Sequence, residues 1–549
     1  MKKIIFISDF FLEDGITGGA EYYNNNLIEE LSSNYIIEKH HSNHVDFENL
    51  EEHKNNTFII SNFMNLPAML KDTILSHNID YIILEHDHKY VSTNDPSKFI
   101  NMLAPQKNII NRDFFHGARA VLCQSKIHAE VLQKNLLLDK VVNLSCNLWS
   151  DEQLDTLSEY INKKKTTKYS FLESDNRNKG TPAAKEYCKN NSISARSLPE
   201  MSYKDFLQAL SETETLIFLP QWLESFNRLV VEAKILGCKI ITNKLLGVAS
   251  ESWFRETKPE DLLGILRDKR KEVFKVYRDL LEKKEENIFI TPIAIPKISI
   301  ITSLYKGGDF IENFMKNITS QTVFDKCELL ILDANSPDNE YESTIKEYEE
   351  KHPNIKYYRL DSRIGVQETM NLAIEKSTGE YLTIANVDDL RRSDHIEELS
   401  KLLTVSTDCS LIYSDCYEVD HIVEDTETFE SNKIYEHSKG RFTSENMIKC
   451  LPGPMPLWRK KAHNTVGFFD SSLKYAADWD MWLRFVHSGI KFKKLERTLG
   501  LYYNNPEGLS TSITNSEERF EEERLIFNRN KDVFGEKMSN IYEGYFNGR

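Results

Sequence analysis

The sequence predicts an α/β protein in which parallel β-sheets are covered by helices on both faces. Short β-branched runs recur between amphipathic helical patterns in the first half, as in "KKIIFIS" (2–8), "DYIILEH" (80–86) and "CKIITN" (238–243). Such continuous apolar strands are typical of sheets that are buried on both sides. The same rhythm restarts in the second half with "KISIITS" (297–303) and "CELLILDAN" (327–335). With a length of 549 residues, the chain is expected to hold several packed units.

Composition and charge narrow the function classes. Hydrophobic residues make up 40% and aromatic residues 11% of the chain, so each part can bury a core. The formal net charge of −16 argues against a general nucleic-acid binder, because such proteins need a basic surface to displace counterions from phosphates. The eight cysteines lie far apart without CxxC spacing. They predict no zinc site, and a reducing, cytoplasmic compartment accounts for them.

The amino terminus, "MKKIIFISDFF", has the lysines and apolar run with which a secretion signal begins. The run is short and is followed by the acidic residues Asp9, Glu13 and Asp14, which favours a first buried β-strand. No stretch approaches the ~20 apolar residues that a bilayer-spanning helix needs. Any membrane contact is therefore expected to be peripheral, at the inner membrane face.

Two breaks in the strand–helix rhythm predict three domains. A lysine-rich stretch, "INKKKTTKYS" (161–170), separates two sheets, and the prolines of "IFITPIAIPK" (288–297) bar a helix after a charged helical segment. We predict two Rossmann-like domains at 1–165 and 166–290, the latter including a linker helix. A separate nucleotide-binding domain is predicted at 296–549.

Carboxylates end two strands of the second half. Asp333 ends "LLILD", and Asp388 ends "YLTIANVD" and is followed at once by Asp389. Ligands of open α/β sheets bind beyond the carboxyl ends of the strands, so these residues are expected to face one crevice. A hard divalent cation is held there by one or two carboxylates plus substrate phosphates. The alternative is that Asp388 and Asp389 only flank a turn.

The second half resembles the family 2 glycosyltransferases, which have the GT-A fold. The resemblance covers residues 296 to about 515 and rests on four blocks in the family's order and spacing: "PKISIITSLYKGGDFIENFMKNITSQT", "LLILDANSPDN", "IGVQETMNLAIEKSTGEYLTIANVDD" and "GFFDSSLKYAADWDMWLRFVHSG". The resemblance implies transfer of a sugar from a nucleotide-sugar donor to a glycan or lipid-linked glycan acceptor. It also implies inversion at the anomeric carbon and use of Mn²⁺ or Mg²⁺.

The same resemblance assigns roles to single residues. Asp333 corresponds to an aspartate that contacts the donor's base or ribose. The family's Asp-x-Asp-Asp motif here begins with Asn386, which leaves Asp388 as the metal ligand and Asp389 as a further donor-binding residue. In the tail of the fold, Tyr503 and Asn505 replace the family's frequent Arg and His.

Asp478 in "AADWDMWLRF" takes the position of the family's catalytic base, although Ala477 replaces the glutamate that commonly precedes it. Inverting transfer needs one carboxylate to remove the proton of the acceptor hydroxyl. The residues that follow have helical periodicity, so Asp478 is also predicted to be a helix N-cap, and both roles can hold together. Trp458 either stacks on a sugar ring or belongs to the core.

The first half has a weaker resemblance to the family 4 glycosyltransferases, whose GT-B fold consists of two facing Rossmann-like domains. Glu224 and Glu232 in "LPQWLESFNRLVVEAKILG" have the spacing of that family's Glu-x7-Glu block, which contacts donor sugar and ribose. "NRNKGTPAAKEY" supplies Lys179, with Ser174 standing where the family has arginine. Gly18 and Gly19 precede a helix whose free N–H groups are expected near the donor phosphates.

The sequence therefore predicts a glycosyltransferase with two modules, GT-B-like and then GT-A, that acts in surface polysaccharide synthesis. Two active sites on one chain can pass an acceptor between them at high effective concentration. One alternative is that the first half is a noncatalytic glycan-binding or assembly module serving a single transferase. The other is that the whole chain is a noncatalytic scaffold.

Overall fold

The chain forms two compact units, Met1–Pro292 and Ile293–Arg549. The computed structural model describes residues 1–15, 18–284, 288–426, 434–435 and 442–547. Within these ranges, no helix is both long enough and apolar enough to cross a bilayer.

The first unit begins with a six-stranded parallel sheet of order β2-β1-β3-β4-β5-β6. Its inner strands are short and almost wholly buried, because helices cover both faces. Only the edge strand β2 is half-exposed. The strands are β1 (Lys3–Ser8), β2 (Ile36–His41), β3 (Thr57–Ile60), β4 (Tyr81–Leu84), β5 (Ala120–Cys123) and β6 (Val141–Asn143). The helices are α1 (Gly19–Leu31), α2 (Phe47–His53), α3 (Ala68–Ser76), α4 (Arg112–Gly117), α5 (Lys126–Leu136) and α6 (Asp151–Glu159).

A second parallel sheet, of order β10-β9-β7-β8, completes the first unit. Its strands are β7 (Thr167–Leu172), β8 (Arg196–Leu198), β9 (Thr213–Ile217) and β10 (Lys239–Ile241). Its helices are α7 (Thr181–Asn190), α8 (Tyr203–Ser211), α9 (Arg228–Ile235), α10 (Ser252–Glu256) and α11 (Pro259–Leu281). One apolar cluster runs from the first sheet, through Phe6 and Leu84, to Leu216 and Val230 of the second. The unit thus consists of two parallel, Rossmann-like sheets that share a core.

The second unit has one nine-stranded mixed sheet of order β13-β12-β11-β14-β18-β16-β19-β15, with β17 paired to β16. The strands β13, β12, β11 and β14 are parallel, so their carboxyl ends lie at one edge. The strands are β11 (Ile298–Leu304), β12 (Cys327–Asp333), β13 (Ile355–Arg359), β14 (Tyr381–Ile384), β15 (Leu390–Arg391), β16 (Leu411–Val419), β17 (Ile434–Tyr435), β18 (Leu457–Arg459) and β19 (Phe492–Tyr503).

The helices of the second unit include two at the carboxyl terminus that pack against the helix carrying Asp478. They are α12 (Ile311–Thr319), α13 (Lys346–Lys351), α14 (Val366–Lys376), α15 (His395–Val405), α16 (His463–Val466), α17 (Ala477–His487), α18 (Ser516–Arg529) and α19 (Lys531–Asn547). Phe534 of α19 stacks on Trp479 of α17 and on Phe527 of α18. The next residue, Gly535, has φ of 73°, a left-handed conformation that favours glycine and kinks α19.

Candidate active site

Three aspartates of the second unit line one cavity of about 350 Å³: Asp388, Asp389 and Asp478. The first two follow β14, and the third lies in the first turn of α17. Folding therefore joins the carboxyl edge of the parallel strands to the start of a helix that is far away in the sequence. Residues from the β19–α18 segment, Tyr502 and Asn505 among them, close another side of the cavity.

Asp388 and Asp389 differ in exposure and in partners. Asp389 is buried and accepts hydrogen bonds from Asn386 Nδ2 (2.9 Å) and from the backbone N–H of Tyr503 (3.1 Å). Asp388 is half-buried and accepts one from Asn505 Nδ2 (3.2 Å). Burial raises the pKa of both carboxyls, and the charge of Asp388 raises the pKa of Asp389 further. The pair thus presents oxygen donors whose negative charge is poorly compensated by these neutral partners.

Asp478 does not cap α17, and that part of the prediction is wrong. The helix begins at Ala477 with Ala476 at the N-cap, so Asp478 lies two positions beyond the residue that could cap it. Instead, the carboxylate of Glu522, on α18, accepts hydrogen bonds from the backbone N–H groups of residues 474, 475 and 476, with N···O distances of 2.7, 2.7 and 2.6 Å. This leaves the carboxyl of Asp478 free to face the cavity.

The half-buried carboxyl of Asp478 accepts a side-chain hydrogen bond from the thiol of Cys450, whose Sγ lies 3.4 Å from Oδ2. Burial raises the pKa of Asp478, and hydrogen bonding from the backbone at Trp479 and from the thiol opposes part of this rise. Burial also raises the pKa of Cys450, so the thiol stays protonated and can donate. Neither Cys450 nor Glu522 was predicted from the sequence. A cysteine in a loop, and one glutamate among several in "SEERFEEER", carry no signal of such contacts.

A larger cavity of about 830 Å³ also has Asp478 in its wall. Its lining is rich in aromatic residues, several from the two carboxyl-terminal helices: Tyr475, Trp479, Phe520, Tyr542, Tyr545 and Phe546. Trp458 has no part in either lining, because it is fully buried and its Nε1 donates to His463 Nε2. Trp458 is therefore a core residue and not a platform for a sugar.

Asp333 lies at the end of β12, as its sequence block indicates, but its carboxylate is occupied by neighbours. It accepts hydrogen bonds from the backbone N–H of Ser336 (2.6 Å), from Arg359 (2.5 Å) and from the Tyr357 hydroxyl. Asp333 is not among the described residues that line the cavity of Asp388. The fold thus brings Asp388, Asp389 and Asp478 together and leaves Asp333 apart from them.

Two candidate residues of the first unit, Lys179 and Glu224, are paired with each other. Lys179 Nζ lies 3.0 and 3.1 Å from the two carboxylate oxygens of Glu224, and Asn227 Nδ2 donates to the same carboxylate. Gly18 is the N-cap of α1, which begins at Gly19. A Cβ at Gly18 would meet the carboxylate of Glu21 at 2.3 Å, so an internal acid already lies beside this helix start.

Glu232 is buried, and its Oε1 has internal partners. It accepts hydrogen bonds from Trp149 Nε1 (2.8 Å) and from the Tyr203 hydroxyl (3.1 Å), and it lies 4.0 Å from Arg228 Nε. Burial raises the pKa of Glu232, while Arg228 and the two donors oppose the rise. Trp149 follows the first sheet and Glu232 lies on α9, so this contact joins the two sheets.

Comparison with known proteins bears on the second unit. The Glycosyl transferase family 2 profile matches residues 299–467. An uncharacterized glycosyltransferase of Methanocaldococcus jannaschii is 24% identical over 209 residues, which is 38% of this chain and 70% of that protein. The minor teichoic acid biosynthesis protein GgaB of Bacillus subtilis is 29% identical over 93 residues, or 17% of this chain and 10% of GgaB.

Among solved structures, S. aureus TarS 1-349 in complex with UDP-GlcNAc aligns with a TM-score of 0.34 and 18% identity. The alignment covers 42% of this chain and 65% of the TarS chain, just under two thirds of its length. A similarity this low supports no inference about ligands. The profile match and the glycosyltransferase relatives support the predicted resemblance for residues 299–467. Residues 299–467 therefore match a family 2 glycosyltransferase domain, and this match together with the glycosyltransferase relatives supports a transferase.

Proposed function

We propose that the second unit transfers a sugar, with inversion, from a nucleotide-sugar donor to a hydroxyl group of a glycan or lipid-linked glycan. The observation that carries the proposal is that Asp388 and Asp478 line one cavity from different elements. A carboxylate pair for the donor end and a single carboxylate for the acceptor end are the two components that such a transfer requires.

Asp388 would hold a Mn²⁺ or Mg²⁺ ion, with Asp389 behind it. Hard cations prefer oxygen ligands and bind through one or two carboxylates plus substrate phosphates. The fit rests on two adjacent carboxylates that accept hydrogen bonds from neutral groups, the amides of Asn386 and Asn505 and the backbone N–H of Tyr503, so that a cation would compensate their charge. When bound, the ion would stabilise the negative charge that develops on the leaving diphosphate.

Asp478 would act as general base. Its carboxylate takes the proton of the acceptor hydroxyl while that oxygen forms a bond to the anomeric carbon. The bond between this carbon and the diphosphate oxygen breaks on the opposite face, which inverts the configuration. Burial raises the pKa of Asp478, and a base whose pKa is nearer the working pH is a better proton acceptor.

The larger cavity would receive the acceptor. It shares Asp478 with the smaller cavity, so a hydroxyl bound in it can reach the base. Flat aromatic faces with a few polar groups are typical linings of ligand pockets. Ser510 and Tyr502 line both cavities and would lie between donor and acceptor.

For the first unit, we favour the noncatalytic module over a second transferase. Glu232, one of the two acids expected to contact the sugar and ribose of a donor, is buried against Trp149 and Tyr203. Glu224 is paired with Lys179, so both acids of the Glu-x7-Glu block already have partners. A donor would have to break these contacts before binding. We therefore propose that this unit positions the acceptor or assembles the machinery of surface polysaccharide synthesis.

The test is donor turnover over a panel of nucleotide sugars with Mn²⁺ or Mg²⁺. Asp478→Asn should lower transfer by roughly 10²–10⁴-fold, the usual contribution of a general base. Exposed Asp361→Asn in the same unit is the matched control and should behave like the parent. Full activity of Asp478→Asn would exclude it as the base. Loss of a second, distinct donor activity in Glu232→Ala would establish a second active site and overturn the noncatalytic assignment.

A further inference from the structure

Three potential metal ligands meet at the edge of the first sheet, among residues that none of the roles above uses. His40 Nε2 lies 2.9 Å and His53 Nε2 lies 3.0 Å from the same oxygen, Oε1 of Glu38. One ligand atom from each side chain lies within 4.8 Å of the other two. The imidazole rings are 5.9 Å apart between centroids and tilted by 60°. Both histidines therefore present a ring nitrogen to one small volume beside a carboxylate.

The fold explains why these residues meet. Glu38 and His40 are two apart on β2, so their side chains lie on the same face of the sheet. The register places them beside Ile5 and Ile7 of β1, and those isoleucines pack in one apolar cluster with Leu50 of α2. His53 is the last residue of α2 and is buried. The helix thus lies over this face and delivers its terminal histidine to the strand pair.

Lys3 fixes the orientation of the carboxylate. Its Nζ lies 2.8 Å from Oε2 of Glu38, the oxygen that neither histidine contacts. The remaining oxygen, Oε1, is thereby directed at the two imidazoles. Partners that hold a ligating carboxylate in place in this way are a common feature of metal sites.

We propose that Glu38, His40 and His53 bind a divalent transition-metal cation of the Zn²⁺ class. Zn²⁺ takes imidazole nitrogen and carboxylate oxygen at about 2.0–2.2 Å, which puts the donors of a tetrahedral site roughly 3.3 Å apart. The two contacts to Oε1 need to lengthen by only a few tenths of an ångström to reach that spacing. Two nitrogen donors favour Zn²⁺, Co²⁺ or Ni²⁺ over Mg²⁺ and Ca²⁺.

The bound cation would join β2 to the end of α2. In a three-ligand site a water molecule takes the fourth position. Because β2 is the half-exposed edge strand, this bond would secure the border of the sheet against fraying. The competing explanation is a plain hydrogen-bonded cluster in which Glu38 serves two histidines and a lysine. It predicts the same distances within a few tenths of an ångström but no metal uptake.

The experiment is titration of the metal-free full chain with Co²⁺ followed by visible absorption, and with Zn²⁺ by calorimetry, with Mg²⁺ as the comparison ion. We expect one tetrahedral-type Co²⁺ spectrum per chain, displaced by Zn²⁺ and not by Mg²⁺. His53→Ala and Glu38→Gln should each lower Zn²⁺ affinity by about tenfold or more. His44→Ala, at an exposed histidine nearby, is the control and should bind as the parent does.

The outcomes separate the two explanations. Absence of stoichiometric binding to the parent overturns the proposal, as does a loss of binding in His44→Ala that matches the loss in His53→Ala. Circular dichroism of each variant without metal checks that it is folded, and His53→Gln replaces His53→Ala if that variant is not. A further expected result is that Zn²⁺ raises the Tm of the parent and leaves that of Glu38→Gln unchanged.

Discussion

The candidate acids of the two units lie in opposite environments. In the first unit, Glu224 is paired with Lys179, and Glu232 is buried against hydrogen-bond donors. In the second unit, Asp388 and Asp478 line a cavity, and the side chains that donate to them are an amide and a thiol. A carboxylate that is already paired within the protein must give up those contacts before it can bind a substrate or a cation.

The desolvation cost of a buried carboxylate explains why its hydrogen-bond partners indicate whether it serves structure or ligand binding. Burying an ionised carboxylate costs solvation free energy, and hydrogen bonds or a nearby opposite charge within the protein offset part of that cost. For Glu232, this desolvation cost is offset by hydrogen bonds from Trp149 and Tyr203 and by the charge of the nearby Arg228. Asp388 and Asp389 accept hydrogen bonds from neutral amide and backbone groups, and burial raises their pKa values as it raises that of Glu232. At Asp389 the charge of Asp388 adds to the rise, and Arg391 opposes part of it. Groups held in such an unfavourable state are common at functional sites, where a ligand completes the compensation.

The largest expected effect comes from replacing one acid of each unit by its amide and comparing the rates of sugar transfer. Asp388→Asn should lower sugar transfer by roughly 10³-fold, because the amide carries no charge with which to hold the cation at the diphosphate. Glu224→Gln should leave that transfer unchanged. Initial rates at saturating acceptor, measured over a range of Mn²⁺ concentrations, distinguish the two. Equal losses in both variants would show that the paired acid of the first unit also acts on the donor.

A second prediction concerns stability and not activity. Glu232→Ala should lower the free energy of unfolding of the first unit by about 3 kcal/mol, because it leaves Trp149 and Tyr203 without their buried acceptor and removes the negative charge beside Arg228. Denaturant melts followed by tryptophan fluorescence measure the loss, and exposed Glu159→Ala is the control. An unchanged unfolding midpoint would mean that the buried contacts of Glu232 contribute little, and the structural assignment would fail.

The third prediction tests how the carboxyl-terminal helices support the site. Glu522→Ala removes the acceptor of three backbone N–H groups just before α17, so the loop that leads to Asp478 loses its anchor. We expect kcat to fall by about tenfold, the effect of a misplaced catalytic group, while the donor KM stays within twofold. Glu521→Ala, one residue away and exposed, should match the parent. A loss confined to KM would place Glu522 in substrate binding instead.

The architecture of the parallel sheets was predictable because buried parallel strands are continuous apolar runs. Runs such as "LLILD" can be recognised as buried strands from the local sequence alone. The edge strand β2, "IIEKHH", was not recognised, because half its residues are polar and its stability comes from pairing with β1. For the same reason, the convergence of Glu38 with His53 is invisible in the sequence.

The site was predictable in part, for a similar reason. Asp388 and Asp478 are recognisable because strand ends and a family block mark them. The N-cap assignment of Asp478 failed because helical periodicity locates a helix without fixing its first residue. Which acids are already compensated depends on partners that are distant in sequence, such as Trp149 for Glu232. Sequence patterns carry no information about those pairings.

The smallest effect we expect is a shift in the pH dependence of kcat/KM, which tests whether Asp478 acts as the base. The Cys450 thiol donates to Asp478 and favours its ionised form, so it keeps the pKa of the base lower than burial alone would set it. Cys450→Ala should raise that pKa further. Since the base works only when ionised, the acid limb of kcat/KM should move to higher pH, with the rate on the alkaline side nearly unchanged.

Cys450→Ser is the matched variant, because a hydroxyl can donate to the same oxygen and should hold the limb near its parental position. If the alanine and serine variants shift equally, the thiol acts by packing and not as a donor. If neither shifts, the titration of Asp478 does not govern the acid limb, and its role as the base is contradicted on grounds independent of Asp478→Asn. The thiol is the side-chain donor to this cavity-facing acid, so the pKa of Asp478 should respond to its loss, while the backbone at Trp479 continues to hold the carboxyl. An acid held by several strong donors, such as Glu232, should not respond to the loss of one in the same way.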